Sequence, residues 1–182
     1  LGQEAQRYSD LGINKMIFIE AIPDVFLQLK SNISQFPDAV AMNACVSDID
    51  GLKVKFNIAS NEGQSSSFLE FGTHTEMHPT VKFIDSIELE TIRLDTLLKD
   101  IDLSQIDFLV MDLQGAELLA LKGLGERLKE FKYAYLEVNE KELYKGGAMI
   151  EDLDFYLGAY GFERKETKML GFGWGDAIYI QS

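Results

Sequence analysis

The 182-residue chain is 46% hydrophobic, 26% charged and 11% aromatic, which is the make-up of a folded domain with its own core and excludes a disordered segment. A formal net charge of −13 argues against nucleic acid and against an anionic membrane surface as partners, because both are bound by clustered Lys and Arg. No apolar run approaches the roughly 20 residues of a membrane helix, none of the residues reads as a signal peptide, and the single cysteine, Cys45, leaves no pair for an internal disulfide, so a reducing compartment, the cytoplasm, is expected.

Leu1-Gly2-Gln3-Glu4 reads as the interior of a longer sequence, and further residues are expected upstream. Gln3 to Leu11 is a predicted helix closed by Gly12. Met16 to Ile19 is a short apolar run ending in Glu20 and reads as a buried strand. Pro23 and Asp24 open a helix with Val25, Phe26, Leu29 and Ile33 on one face. Ala39 to Val46 is a second buried strand, in which Cys45 serves as a small hydrophobe. Asp50-Gly51 marks a tight turn, after which Leu52, Val54, Phe56 and Ile58 alternate with polar residues as in a half-exposed strand. Asn61 to Pro79 is a long polar loop rich in Ser and Gly, a kind that is functional or disordered. A strand from Phe83 to Arg93 follows, then a short helix capped by Asp95 and reaching Leu98.

Ile106 to Asp112 is the clearest strand, nearly all apolar, so both of its faces should be covered as in a parallel sheet. A helix from about Ala116 carries Leu118, Leu121 and Leu124, with Gly123 and Gly125 as interruptions. Tyr133 to Val138 is a strand, and Ile150, Leu153, Leu157 and Tyr160 form a helical stripe stopped by Gly161. Phe162 to Leu170 and Ala177 to Gln181 close the chain as an antiparallel pair. Helices alternate with strands up to that pair, which predicts an α/β sheet with helices on both faces, read as one domain over 1–182. Ligands of such sheets bind outside the carboxyl ends of the strands. Glu20, Asp112 and Glu137 lie at or near those ends.

In nucleoside-binding α/β folds a glycine loop lets the backbone approach the ligand, and an acid about 20 positions later takes the ribose hydroxyls. Gly2 and Glu20 fit that spacing, although Glu20 is equally a surface residue after a strand. Asp112-Leu113-Gln114-Gly115-Ala116-Glu117 ends a buried strand with a carboxylate and turns sharply at a glycine. Asp112 there is a site residue or a cap, and Glu117 a site residue or an acid favoured at a helix start. His74, Glu76 and His78 have a metal-ligand spacing, but no third ligand is fixed, and no metal is expected; they read as loop residues that face solvent or substrate. Ser65-Ser66-Ser67 is a linker or a set of ligand donors. No phosphate loop of the Walker type, Cys-x-x-Cys pair or Gly-x-Ser-x-Gly elbow is present.

Several stretches together resemble the FkbM family of methyltransferases. They are Ile17-Phe18-Ile19-Glu20-Ala21-Ile22-Pro23, Asn43 to Asp48 followed by Asp50-Gly51, Ser65-Ser66-Ser67, and Ile92 to Leu98. The most specific is Asp107 to Gly123, and Gly161-Phe162 with Gly175 to Ile180 matches the family's ending. The resemblance implies a Rossmann-like class I methyltransferase sheet, mostly parallel with an antiparallel C-terminal strand pair, whose first strand would precede residue 1. It implies S-adenosylmethionine as cofactor and O-methylation of a hydroxyl on a sugar, glycan or natural product. By position, Gly2 and Gln3 look like the tail of the glycine-rich first motif and Glu20 with Ala21 like the ribose site. Ser47 and Asp48 fall on the adenine side, and Asp112 and Gln114 beside the methyl-transfer centre. Asp112 is the candidate base, with Glu117 and His74 or His78 as second choices, and the Asn61–Pro79 loop is the candidate lid. The alternatives are a non-catalytic module of the same fold that binds an adenosyl ligand or a partner, and a nicotinamide enzyme. Tyr144, Phe172 and Trp174 are candidate sugar-stacking residues, each as readily a packing residue.

Overall fold

The computed structural model describes residues 2–13 and 15–182; Leu1, where the upstream expectation starts, lies outside the described residues. Helix α1 (Glu4–Asp10) leads into strand β1 (Met16–Glu20). Helix α2 (Pro23–Asn32) starts on a proline, whose missing N–H has no helical partner at that position anyway. Leu29 and Ile33 follow the expected stripe and bury against Met16 and Ala5. Strand β2 (Ala39–Asn43) pairs in parallel with β1, from Met16 opposite Ala39 to Glu20 opposite Asn43. The single strand expected from Ala39 to Val46 is in fact two. At Ala44 the N–H donates to the Glu20 carbonyl, and the chain continues as β3 (Cys45–Ser47), which pairs with a different strand, β5.

Strand β4 (Lys53–Ala59) runs antiparallel to β5 (Phe83–Arg93). Alternation along β4 fails at Asn57, which is buried. The returning loop covers it there, Asn57 and Ser67 exchanging both backbone hydrogen bonds. The Asn61–Pro79 loop is therefore folded: it holds the short helix α3 (His74–Met77), and Ser65, Ser66 and Ser67 are all buried. The linker reading of those serines does not hold.

Helix α4 (Leu94–Leu97) precedes β6 (Phe108–Met111), α5 (Glu117–Leu124), a 3₁₀ segment (Gly125–Glu130), β7 (Tyr133–Asn139), α6 (Ile150–Gly158), β8 (Phe162–Met169) and β9 (Trp174–Gln181). The last four strands form a sheet in the order β6-β7-β9-β8, with β6 parallel to β7 and the rest antiparallel. Among the described residues three strand pairs are parallel and three antiparallel. The sheets are thus mixed rather than mostly parallel, and the antiparallel pairs beyond the expected β8–β9 are β4 with β5 and β7 with β9. One buried cluster joins α4, α5 and α6 to β6, β7, β8 and β9, and Ile17 and Ile19 of β1 pack against it. The expectation that β6 is covered on both faces holds for Met111 but not for Phe108 and Val110, which are 37% and 46% exposed. Among the described residues β6 pairs with β7 alone. Among the described residues no helix is long and apolar enough to cross a membrane.

Helix α5 does not break at Gly123. A β-carbon there would lie 2.1 Å from the Ser47 carbonyl oxygen, so the glycine is what lets α5 sit directly on the end of β3. Gly125, at φ 54°, is the residue that stops the helix.

Candidate ligand site

A cavity of about 870 Å³ opens at the carboxyl ends of β1, β6 and β7, within the size range of small-molecule sites. Of the residues expected at a site, it gathers Gln3, Glu20, Ala21, His74, Asp112 and Gln114. Gly2, Ser47, Asp48 and Glu117 are not among its lining. Gly2 packs against Ile33 and Leu29 of α2. Ser47 is buried and donates to Asp48, whose carbonyl accepts from Arg93. Glu117 lies behind the cavity wall.

One end is built around Glu20. Strand β1 ends there, and its Oε1 accepts from the Ile22 N–H at 2.8 Å, which fixes the carboxylate as the chain turns into α2. Burial pushes its proton affinity up, against the opposing effect of the backbone N–H groups of Ile22 and Ala21. Ala44, whose N–H donates to the Glu20 carbonyl, lines the same cavity, as do the apolar residues Cys45, Val46 and Phe56.

The other end is built around Asp112, directly after β6. Gln114 stands at φ 54° and Gly115 at φ 93°. Left-handed backbone is costly for a residue with a side chain, and here every polar group of Gln114 outside its own N–H is engaged. Its Nε2 donates to Asp112 Oδ1 at 2.5 Å and to Glu137 Oε2 at 3.0 Å. Its Oε1 accepts from the Tyr144 hydroxyl at 2.6 Å, and its carbonyl from the Ser67 hydroxyl at 3.0 Å. Gly115 is needed twice over, for its φ and because a β-carbon would lie 2.9 Å from Tyr144 Cβ. Tyr144 is therefore a buried packing and hydrogen-bonding residue rather than a stacking platform, whereas Trp174 lines the cavity and Phe172 is 66% exposed.

Glu117 is fully buried, and its Oε1 accepts from the Leu113 N–H at 2.6 Å and the Gly115 N–H at 3.4 Å. It clamps the turn that presents Asp112. Burial raises its pKa from 4.5 to about 7, with the Asp112 charge adding to the rise. Glu137 is also raised, first by burial and then by the charges of Asp112 and Glu117, so it is held as a neutral acid at neutral pH. Between pH 4.5 and about 7 the unfolded chain gives up the Glu117 proton before the folded protein does, so this group's contribution to stability falls as pH rises across that window. Glu117→Gln is expected to flatten that fall, read as the unfolding temperature from pH 5 to 8; an unchanged pH dependence would contradict the assignment.

His74, expected as a loop residue facing solvent or substrate, is buried and borders the cavity. Its ring stacks on Phe71 at 4.2 Å and its Nε2 pairs with the Ser65 hydroxyl at 3.2 Å. Burial lowers its pKa to about 4, so it is a neutral hydrogen-bonding group at pH 7. The His78 ring lies 5.0 Å from it, and among the described residues no group of three His, Cys, Asp or Glu side chains is placed to hold a metal. Glu137, one of the three strand-end carboxylates, and Ser65, one of the serines read as a linker or as ligand donors, also line the cavity, although neither had been given a role of its own in the site.

The chain was compared with known proteins. No solved structure matches it. It is similar to the 2-O-methyltransferase NoeI of Sinorhizobium fredii (strain NBRC 101917 / NGR234), with 28% identity over 152 residues, which cover 80% of this chain and 62% of that protein. The chain thus spans less than two thirds of the length of this relative. Residues 3–164 match the family described as the Methyltransferase FkbM domain, so the resemblance in the motifs holds and the chain belongs to the FkbM methyltransferase family.

Proposed function

We propose that the cavity binds S-adenosylmethionine and that the protein methylates a hydroxyl group of a sugar, glycan or other small molecule. The observation that carries this reading is one cavity lined by two strand-end carboxylates, Glu20 and Asp112, with apolar residues in the same lining and a polar network at Asp112. A nucleoside needs the first and the apolar lining: hydrogen-bond acceptors for ribose hydroxyls and apolar surface for a base. A sulfonium next to a nucleophilic hydroxyl needs the second. The paired strand ends β1–β2 and β6–β7 support a Rossmann-like, class I arrangement around this site.

The residues present fit such a cofactor. Bound there, S-adenosylmethionine supplies an electrophilic methyl group on a cationic sulfur. Glu20 accepts from the ribose hydroxyls, Gln3 and Ala21 flank them, and Asp112 receives the acceptor's proton. Glu117 holds the turn that aims Asp112, and the folded 61–79 segment covers the cavity and excludes water. The relative's printed name, a 2-O-methyltransferase, supports an oxygen acceptor. The acidic charge favours such an acceptor over a nucleic acid, and the lone buried Cys45 favours a reducing compartment such as the cytoplasm.

Glu20→Ala is the test of the cofactor's placement. Loss of a charge-assisted hydrogen bond of about 1.5–3 kcal/mol predicts a drop of roughly 10- to 100-fold in affinity for both S-adenosylmethionine and its demethylated product, read by calorimetry on protein whose unfolding temperature is unchanged. Unaltered affinity would place the ribose elsewhere.

A further inference from the structure

Two carboxyl groups, not one, face the Asp112 end of the cavity. Asp112 follows β6 and Glu137 lies near the end of β7, the neighbouring parallel strand, so the two side chains start from backbones about 4.8 Å apart. One –NH2 group spans them: the two hydrogens on Gln114 Nε2 reach Asp112 Oδ1 at 2.5 Å and Glu137 Oε2 at 3.0 Å. That amide is itself held by the Tyr144 hydroxyl, and the left-handed backbone of Gln114 by the Ser67 hydroxyl on its carbonyl, so the spacing of the pair is built in rather than adjustable. Asp112 is exposed to the cavity, while Glu137 is 7% exposed and borders it.

We propose that Glu137 is a second acceptor-binding residue, a hydrogen-bond donor beside the Asp112 side chain, and that the acceptor is a vicinal diol. The inference rests on the methyltransferase reading above. Asp112 accepts the hydrogen bond of the hydroxyl to be methylated, and Glu137 donates to the oxygen on the adjoining carbon. Two donors and acceptors held at a fixed short spacing suit hydroxyls on neighbouring carbons better than one isolated alcohol. As the acceptor oxygen forms its bond to the methyl carbon, the carbon–sulfur bond breaks with its electron pair staying on sulfur, and the hydroxyl proton passes to Asp112. The sulfonium's positive charge and the Asp112 negative charge disappear together, and Glu137 keeps its proton throughout.

The neutral state of Glu137 follows from its surroundings. Facing it are Asp112 after β6, Glu117 in α5, Asn139 on its own strand, the Tyr144 hydroxyl and the Gln114 amide, and burial with the charges of Asp112 and Glu117 outweighs the hydrogen bonds from Asn139 and Gln114 that favour ionisation. Glu20, His74 and His78 share the cavity. Two ionised carboxylates at this spacing would repel each other, which keeps one of them protonated.

The test compares wild type, Glu137→Gln, Glu137→Ala and Asp112→Asn in transfer of labelled methyl from S-adenosylmethionine to methyl pyranosides, their monodeoxy forms lacking one neighbouring hydroxyl, and cyclohexanol. Wild type is expected to methylate a pyranoside diol, to lose about tenfold or more on the monodeoxy form, and to decline on the alkaline side as Glu137 ionises. Glu137→Gln, which still donates but cannot ionise, should keep at least a tenth of the turnover and lack the alkaline decline. Glu137→Ala should lose roughly 10²-fold. Glu137→Gln as inactive as Asp112→Asn, Glu137→Ala equal to wild type, or no transfer to any diol by protein that binds S-adenosylmethionine would each overturn the inference alone. Failure of wild type to bind S-adenosylmethionine would overturn the methyltransferase reading as well, so the two failures are told apart by calorimetry.

Discussion

Replacing Asp112 by Asn is expected to lower methyl transfer by roughly 10²–10⁴-fold, the usual worth of a positioned general base, in protein that remains folded. The substitution is nearly isosteric. The asparagine side chain would keep an oxygen to accept from Gln114 Nε2, so the network through Gln114, Tyr144 and Glu137 has no reason to collapse. On the proposed reading, what is lost is the proton acceptor and the negative charge beside the sulfonium. The preference for the cationic cofactor over its neutral product should therefore shrink in the same variant. Transfer of labelled methyl, with thermal unfolding as the control for folding, checks the expectation. Turnover at the wild-type level would remove Asp112 from the role of base and leave it as an orienting residue at most.

The largest expected effect on stability comes from Gly123→Ala. The position is in the last turn of α5, where alanine is still ordinarily the better helix former, so propensity alone predicts stabilisation. Packing predicts the reverse. The added methyl would sit 2.1 Å from the Ser47 carbonyl oxygen and 3.3 Å from the Leu94 nitrogen, both backbone atoms. Neither atom can swing aside as a side-chain tip would. Helix α5 would have to lift from β3 and α4, opening the core around Leu121, Leu124 and Val46. Overpacking of this kind costs about 1–3 kcal/mol, occasionally more, and in a chain of this size about 2–4 °C of unfolding temperature for each kcal/mol. A scanning thermal melt measures it, and an unchanged or raised midpoint would mean that α5 is not seated on β3 as described.

Local pattern carried most of the secondary structure. The strand from Phe83 to Arg93 has the expected bounds, and Pro23 starts α2 as read from its chemistry. What pattern could not show is where distant segments meet. The serines of 65–67 looked like loop because nothing local marks them as buried; their burial comes from Asn57 on β4, Gln114 after β6 and Tyr144, whose hydroxyl reaches the Ser65 carbonyl across 79 positions. Gly123 read as a helix interruption because the Ser47 carbonyl that explains it lies on another element. The expected cover of β6 fails at Phe108 and Val110, because an apolar run does not say which neighbours meet each of its faces. In the site, the strand-end rule located Glu20, Asp112 and Glu137, but the bridge that makes a pair of two of them depends on the left-handed turn at Gln114, which no spacing rule encodes. Glu117 illustrates the opposite case: its place at the start of α5 suggested catalysis or a helix dipole, and its carboxylate proves to be the clamp of the preceding turn.

The most direct test of the central claim, that the cavity between Glu20 and Asp112 is an S-adenosylmethionine site, is calorimetric titration of the protein with S-adenosylmethionine, its demethylated product and NAD. Saturable one-to-one binding of both adenosyl ligands, and none of NAD, is the predicted result. Binding of neither adenosyl ligand, or binding of NAD in preference to them, would contradict it.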